Sequence, residues 1–331
     1  MKISPRSIKI IKAVLLVSVL ILLWQYVKVI DPAEVKAALM KAGAGFGWMI
    51  LSTFVAYSLA TLGWWYCLSD ARKGIPKAGL FVIRHVCETF GMFTPASVAG
   101  GDMLKIVLLK PYAINPPTVV ASVVVSRLLM ITSQVCLLLS AIAWLLFNHK
   151  LDSEPWPSHS LAIIAVVCAV LAAGFYGLVK FRRSMWLKYA GTNAKWLRFR
   201  SRMMEVWLEI SRFYRQYPKE LAIAFTLFTS HWIIGSLEFY IILKLLGYPI
   251  SLVDSLVLDM GVIAVKAAGA FIPGQLGVEE LGNKMMLSLI GFASIPLWIS
   301  VSALRRTRQL FWILVGVLLY SIIIHKKKST V

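Results

Sequence analysis

Long apolar segments constrain the fold of this chain more than any other feature. Each of six windows is long and apolar enough for a bilayer-spanning helix, which needs about 20 such residues: 9–30, 46–68, 118–147, 161–180, 220–246 and 305–324. Only 15% of the 331 residues are charged, which excludes an ordinary soluble domain. Because backbone in lipid must satisfy its own hydrogen bonds, the segments predict an all-α polytopic membrane protein.

Two further apolar regions, 79–117 and 252–300, are interrupted. Each contains a helix-like run, a break rich in proline and glycine, and a second run. Neither run is long enough to cross a bilayer comfortably alone. A helical hairpin that enters, breaks and returns fits this pattern, so we predict a re-entrant hairpin in each region.

The two interrupted regions repeat each other. Asp102 recurs as Glu280 and Arg127 recurs as Arg305, each 178 positions later, and each acid follows a Phe-x-Pro segment. Transporters are commonly built from two such halves of opposite orientation. We predict two inverted-topology repeats: an N-terminal membrane half at 1–180 and a C-terminal half at 220–331, joined by an amphipathic linker at 181–219.

Lysine and arginine set the predicted orientation. They cluster at the N-terminus, at 69–78, in the linker and in the C-terminal tail, which places both termini in the cytoplasm and makes the halves inverted copies. Three residues resist this rule, because Arg305, Arg306 and Arg308 fall on the outer side. Three explanations are open. The arginines bind outer-leaflet headgroups, they point into a central cavity, or the second interrupted region crosses the membrane completely.

The formal net charge of +20 does not indicate nucleic acid, because the basic residues flank apolar segments and no basic face alternates with stacking aromatics. The basic helix expected at 194–216 suits the anionic inner leaflet instead. The four cysteines form no C-x-x-C pair and have no histidine at metal spacing, so no metal is expected. The sequence contains no nucleophile elbow, P-loop or dinucleotide motif. We therefore expect that the protein binds no cofactor and is not an enzyme.

Ionisable residues at membrane depth are costly, so each marks a candidate site. Arg84 and Glu88 lie four apart on one helix face and are expected to pair. The half-helix after Gly100–Gly101 offers free N–H groups to a phosphate. The alternative is an internal ion-pair network that fixes the break. The candidate substrate-binding residues of the first half are Arg84, Glu88, Gly100, Gly101, Asp102, Lys105 and Arg127.

The second half offers a matching set: Lys266, Pro273, Gly274, Gly277, Glu280 and Arg305. The alternative reading there is simple pairing around a turn. His231 and Glu238 lie about two helical turns apart, which would let them relay a proton. The competing interpretation of His231 is a packing residue.

The motifs T-P-A-S-V-A-G-G-D-M-L-K at 94–105, Ser126-Arg127, P-G-Q-L-G-V-E-E at 273–280, and Arg305 resemble the lysylphosphatidylglycerol synthase transmembrane region family. The resemblance implies a flippase-like protein that moves lipids or lipid-linked sugars between leaflets. We do not expect the lysine-transferring soluble domain of some members in this chain. The family pattern often has Gly and Arg where this chain has Gln275 and Glu279.

We therefore expect a flippase in a bacterial inner membrane that moves an anionic or aminoacylated phospholipid or a polyprenyl-phosphate-linked sugar. The competing hypothesis is an accessory subunit that scaffolds a lipid- or glycan-modifying enzyme. A third, an intramembrane enzyme acting on a lipid phosphate, lacks a visible nucleophile and base. The expected partners are membrane lipids, such a synthesising enzyme or a second copy of the chain.

Overall fold

A computed structural model describes residues 32–92, 98–148, 194–269, 275 and 277–328. These residues contain no β-strand and form ten α-helices: α1 (Pro32–Ala42), α2 (Gly45–Cys67), α3 (Lys77–Met92), α4 (Val98–Leu108), α5 (Pro116–Asn148), α6 (Ala194–Gln216), α7 (Pro218–Leu245), α8 (Leu252–Ala268), α9 (Val278–Leu289) and α10 (Ile295–Lys328). The predicted spans 9–30 and 161–180 lie outside the described residues, as do Pro273 and Gly274.

Among the described residues, three helices are long and apolar enough to cross a membrane: Gly45–Cys67, Pro116–Trp144 and Pro218–Leu245. Two of them begin with proline, whose missing N–H has no partner in a first helical turn in any case. The prediction of an α-helical membrane protein is confirmed, with helices at 46–68, 118–147 and 220–246. The window 305–324 lies within α10.

Each interrupted region contains two short helices, as the sequence indicates. Helix α3 packs on α4, and α8 packs on α9. Helix α4 has 11 residues and is therefore about 17 Å long, roughly half the hydrocarbon thickness. The predicted proline- and glycine-rich breaks include residues 93–97 and 270–274, which lie outside the described residues.

The predicted halves meet along α2 and α7, which make the most extensive helix contact in the described structure. The contact is close because Gly63 of α2 has no side chain where the ring of Phe228 packs. Helix α3 also packs on α10, and α5 on α8. Helices that carry charged residues in the two predicted halves are therefore in contact.

The approach of α4 to α3 depends on Gly101. A Cβ atom at this position would lie 2.4 Å from the carbonyl oxygen of Cys87, which belongs to the backbone of α3 and cannot move independently. We expect Gly101→Ala to lower the free energy of unfolding by about 1–3 kcal/mol through overpacking. Thermal unfolding in detergent measures this. Gly235→Ala is the matched control, because nothing lies within 4 Å of that Cβ and alanine favours a helix. Equal unfolding temperatures for both variants would contradict the assignment.

A second contact joins the connection after α2 to the start of α7. The Tyr217 hydroxyl donates a hydrogen bond to Asp70, and Arg72 pairs with Glu220 at 3.3 Å. The hydrogen bond from Tyr217 lowers the pKa of Asp70 below 3.8, so the folded state favours the carboxylate.

The stability that Asp70 contributes should therefore be complete above the unfolded pKa and be lost as pH falls through the lower folded pKa. We expect the wild type to lose more stability than Asp70→Asn between pH 5 and pH 3, which chemical denaturation at a series of pH values measures. Parallel pH profiles for the two proteins would show that the contact does not stabilise the fold.

Candidate functional site

Four side chains from three helices form the first charge cluster, defined as Glu88, Asp102, Lys105 and Arg127. Arg127 donates from Nε to Asp102 Oδ2 at 3.1 Å and from Nη2 to Asp102 Oδ1 at 3.0 Å, a two-pronged pair. Lys105 donates to Asp102 at 2.7 Å and to Glu88 at 3.2 Å. The cluster therefore ties α3, α4 and α5 together.

The first charge cluster is not sealed. The side chain of Glu88 is 35% exposed, that of Arg127 23% and that of Asp102 17%, whereas Lys105 is buried. Both cations donate to Oε1 of Glu88. Oε2 of Glu88 accepts no hydrogen bond from a described residue.

Arg84 lies one turn before Glu88 on α3, but the expected pair does not form. No hydrogen bond or ion pair joins the Arg84 side chain to any described residue, although only 7% of this residue is exposed. Its guanidinium carbon lies 5.9 Å from the ring centre of Tyr57 on α2. Glu88 instead pairs with cations from α4 and α5.

Eight side chains form the second charge cluster: Glu238, Asp259, Lys266, Glu279, Glu280, Arg305, Arg306 and Arg308. Glu279 occupies its centre and faces Lys266 at 3.0 Å, Arg305 at 3.2 Å and Arg306 at 3.5 Å. Four carboxylates here balance four cations. All but Lys266 and Glu280 are buried, so the cluster is neutral and nearly closed.

The three arginines that resisted the charge rule all lie in this interior cluster. Arg305 contacts Asp259, Glu238 and Glu279, and its guanidinium carbon lies 4.2 Å from the ring centre of Phe239. Arg308 pairs with Glu238. All three side chains are buried in the structure rather than exposed at its surface.

In its contact with a carboxylate, Arg127 resembles Arg306 rather than Arg305. Arg306 binds Glu280 through two nitrogens, at 2.6 Å and 2.9 Å, as Arg127 binds Asp102. The offset of 178 positions pairs Asp102 with Glu280. It also pairs Arg127 with Arg305, whereas the arginine that binds Glu280 through two nitrogens is the next residue, Arg306. Glu88 and Lys266 also match at this offset with opposite charges, each paired to the second helix of its hairpin.

The glycine candidates shape the backbone. Gly100 lies in the first turn of α4, and Gly101 allows the close approach to α3. Gly277 has φ +80°, a conformation that favours glycine, and its N–H donates to Glu280 at 2.9 Å. Gln275 has φ +51°, and its carbonyl oxygen accepts from Arg306 at 3.1 Å. A glycine at position 275, as in the family pattern, would adopt this φ without strain.

His231 and Glu238 do not contact each other. The Nδ1 of His231 lies 2.8 Å from the carbonyl oxygen of Ala56, so this nitrogen carries the proton and donates. Glu238 is held by Arg305 and Arg308. The structure thus brings His231 to α2 and Glu238 into the second charge cluster, which leaves no direct hydrogen bond for a relay between these two described residues.

The sequence interpretation left four charged members of the second charge cluster out of the candidate site: Asp259, Glu279, Arg306 and Arg308. One signal was available, because Arg305, Arg306 and Arg308 fall within one helical turn of an apolar segment and require nearby carboxylates. The buried Gln309, which donates to Glu279 at 2.8 Å, extends this turn.

Comparison with known protein families assigns the chain to one of them. The family model for the lysylphosphatidylglycerol synthase TM region matches residues 10–324, nearly the whole chain. The chain belongs to this family. Membership makes it a membrane protein related to lipid and glycan handling. Searches of curated proteins and of solved structures find no significant match.

Proposed function

We propose that this family member is a lipid transporter that carries a polar headgroup through its interior while the acyl chains remain in the bilayer. The observation that carries the proposal is the first charge cluster, in which the side chains of Glu88, Asp102 and Arg127 remain partly exposed in a member of a membrane-protein family. A lipid-facing surface would not stabilise such groups, whereas a water-filled headgroup path would. The proposed substrates are an anionic or aminoacylated phospholipid or a polyprenyl-phosphate-linked sugar.

The proposed architecture is a pair of inverted repeats with re-entrant hairpins. Helices α2 to α5 would correspond to α7 to α10, and the helix contacts support this correspondence. The contact of α3 with α10 has its counterpart in α5 with α8, and the pair α3–α4 in α8–α9. The proposed two-fold axis would exchange α2 with α7, so these two helices should contact each other beside the axis.

The two charge clusters support alternating access. The first is partly exposed and the second is nearly closed. Related halves that exchange these states would open the interior first to one leaflet and then to the other. We place the protein in a bacterial inner membrane with both termini in the cytoplasm, and we propose transport rather than catalysis.

The second candidate function is an accessory subunit that scaffolds a lipid- or glycan-modifying enzyme. The closed, charge-balanced second cluster favours it, because a neutral ion-pair network can serve a purely structural role. A purely structural role does not explain why side chains of the first charge cluster are partly exposed. We therefore prefer transport to scaffolding as the function.

The test is headgroup transport by purified full-length protein in liposomes. Labelled phosphatidylglycerol, aminoacyl-phosphatidylglycerol and a polyprenyl-phosphate sugar would be compared in separate preparations, with protein-free liposomes as the baseline. Transport of one class above the baseline supports the proposal and names the substrate class. Baseline rates for all three by monodisperse protein would favour the scaffold, which should then co-purify with an enzyme from its native membrane.

A further inference from the structure

We propose that Arg84 and Glu88 form a two-part headgroup site, in which Arg84 binds the phosphate of a phosphodiester lipid and Glu88 accepts a hydrogen bond from a hydroxyl or ammonium group beyond it. The site deepens the proposed function, on which it rests. It lies on one face of α3, since the two residues are four positions apart.

Among the cationic candidate substrate-binding residues, Arg84 is the one that pairs with no carboxylate in the described structure. Arg127 is held by Asp102 and Glu88, Lys266 by Glu279, and Arg305 by three carboxylates. The described structure provides Arg84 with no ion pair and no hydrogen bond. A guanidinium that is nine-tenths buried is costly without a hydrogen-bonded anion, and no described residue supplies one, so we assign this role to a ligand.

The charges around Arg84 leave room for one negative charge. The first charge cluster contains two carboxylates and two cations and is therefore neutral by itself. Arg84 adds one positive charge to it, while the second charge cluster balances at four against four. A phosphodiester carries one negative charge, which would complete the balance, and its oxygens match the planar donors of arginine.

One turn from Arg84 on the same face of α3, the side chain of Glu88 is 35% exposed, so a ligand that meets Glu88 comes within reach of Arg84. Tyr57 forms one wall and is fixed by ring contacts with His85 at 5.7 Å and Trp312 at 5.3 Å. Its hydroxyl makes no hydrogen bond to a described residue and is a second donor for the phosphate.

Glu88 supplies the second part of the site. Its Oε2 has no hydrogen bond from the described residues, and its side chain is exposed enough to meet a headgroup. A free carboxylate oxygen accepts hydrogen bonds and donates none, so it selects headgroups that end in a hydroxyl or ammonium group. Phosphatidylglycerol and its aminoacylated form carry such groups, whereas phosphatidylcholine does not.

Binding to the detergent-solubilised full chain tests this site, with dihexanoyl-phosphatidylglycerol as the probe. We expect Arg84→Gln to raise Kd at least about tenfold, the loss of one charge-assisted contact. Arg84→Lys should fall between the wild type and Arg84→Gln. The matched control is Arg215→Gln, an exposed arginine at the end of α6, which should leave Kd unchanged. An unchanged Kd in Arg84→Gln, or an equal loss in Arg84→Lys, would overturn the assignment.

Two further ligands resolve the chemistry and the source. Dihexanoyl-phosphatidylcholine should bind the wild type at least several-fold more weakly than the glycerol lipid, and Glu88→Gln should reduce this difference. Glycerol 3-phosphate binding as tightly as the lipid would identify a soluble phosphate and overturn the lipid assignment.

The binding site and the transport function can be refuted separately. Wild-type transport with unchanged binding in Arg84→Gln refutes the site alone, whereas Arg84-dependent binding without transport refutes the proposed function alone.

Discussion

Glu279→Gln is expected to lower the free energy of unfolding by about 3–5 kcal/mol, the range for removing one partner of a buried ion pair. Glu279 is 1% exposed and faces Lys266, Arg305 and Arg306. The substitution would leave four cations, three of them buried, facing three carboxylates. Thermal and urea unfolding in detergent, followed by tryptophan fluorescence, measure the loss.

Glu209→Gln provides the control for the same chemical change. Glu209 pairs with Arg212 at 3.0 Å on α6, where the arginine side chain is 59% exposed. Exposed pairs of this kind contribute about 0–1 kcal/mol, so stability should hardly change. A loss at Glu279 no larger than that at Glu209 would mean that the second charge cluster does not hold the helices together.

Asp102→Asn is expected to reduce headgroup transport by at least about tenfold while the protein remains folded. Lys105 and Arg127 share two carboxylates, of which Asp102 receives three of their hydrogen bonds and Glu88 two. Neutralisation of Asp102 would leave these two cations with Glu88 alone and disturb the balance beside Arg84. Because the first charge cluster is partly exposed, we expect the variant to lose transport more than stability.

The measurement compares initial transport rates at equal protein-to-lipid ratios, after size-exclusion chromatography confirms a monodisperse sample. Asp254→Asn is the matched control, because Asp254 lies at the start of α8 and accepts hydrogen bonds from Ser251 through one oxygen, which the amide oxygen of asparagine can replace. Equal transport by Asp102→Asn and Asp254→Asn would show that the first charge cluster has no part in transport.

The helical architecture could be predicted from the sequence because apolar length is a strong signal. The helices α2, α5 and α7 match predicted windows closely, and both interrupted regions contain two short helices as expected. Bilayer thickness sets these lengths, so no tertiary information is needed.

The pairing of charges could not be predicted in the same way. Arg305 and Arg306 are neighbours in sequence, but their side chains point about 100° apart around α10 and meet different helices. The offset of 178 selected Arg305, whereas helix orientation gives Arg306 to Glu280. Similarly, the spacing of Arg84 and Glu88 permits a pair, but cations from α4 and α5 occupy Glu88 instead.

The roles of His231 and Glu238 depended equally on tertiary contacts. Their spacing on α7 suggested a shared face, but His231 bonds to the backbone of α2 while Glu238 meets the arginines of α10. Sequence spacing along one helix does not include the donors and acceptors that other helices bring. Charged residues in apolar segments therefore indicated which helices carry interior ion pairs. The structure was needed to show that Arg84 has no ion pair among the described residues.

The most direct test of lipid transport is the extent of dithionite bleaching of labelled phosphatidylglycerol in liposomes that contain the full-length protein. If headgroups cross through the interior, bleaching in wild-type vesicles should continue beyond the outer-leaflet half toward completion, while Asp102→Asn vesicles should slow at about half. Wild-type bleaching that stops at the level of protein-free liposomes, for this lipid, its aminoacylated form and a polyprenyl-phosphate sugar alike, would contradict transport.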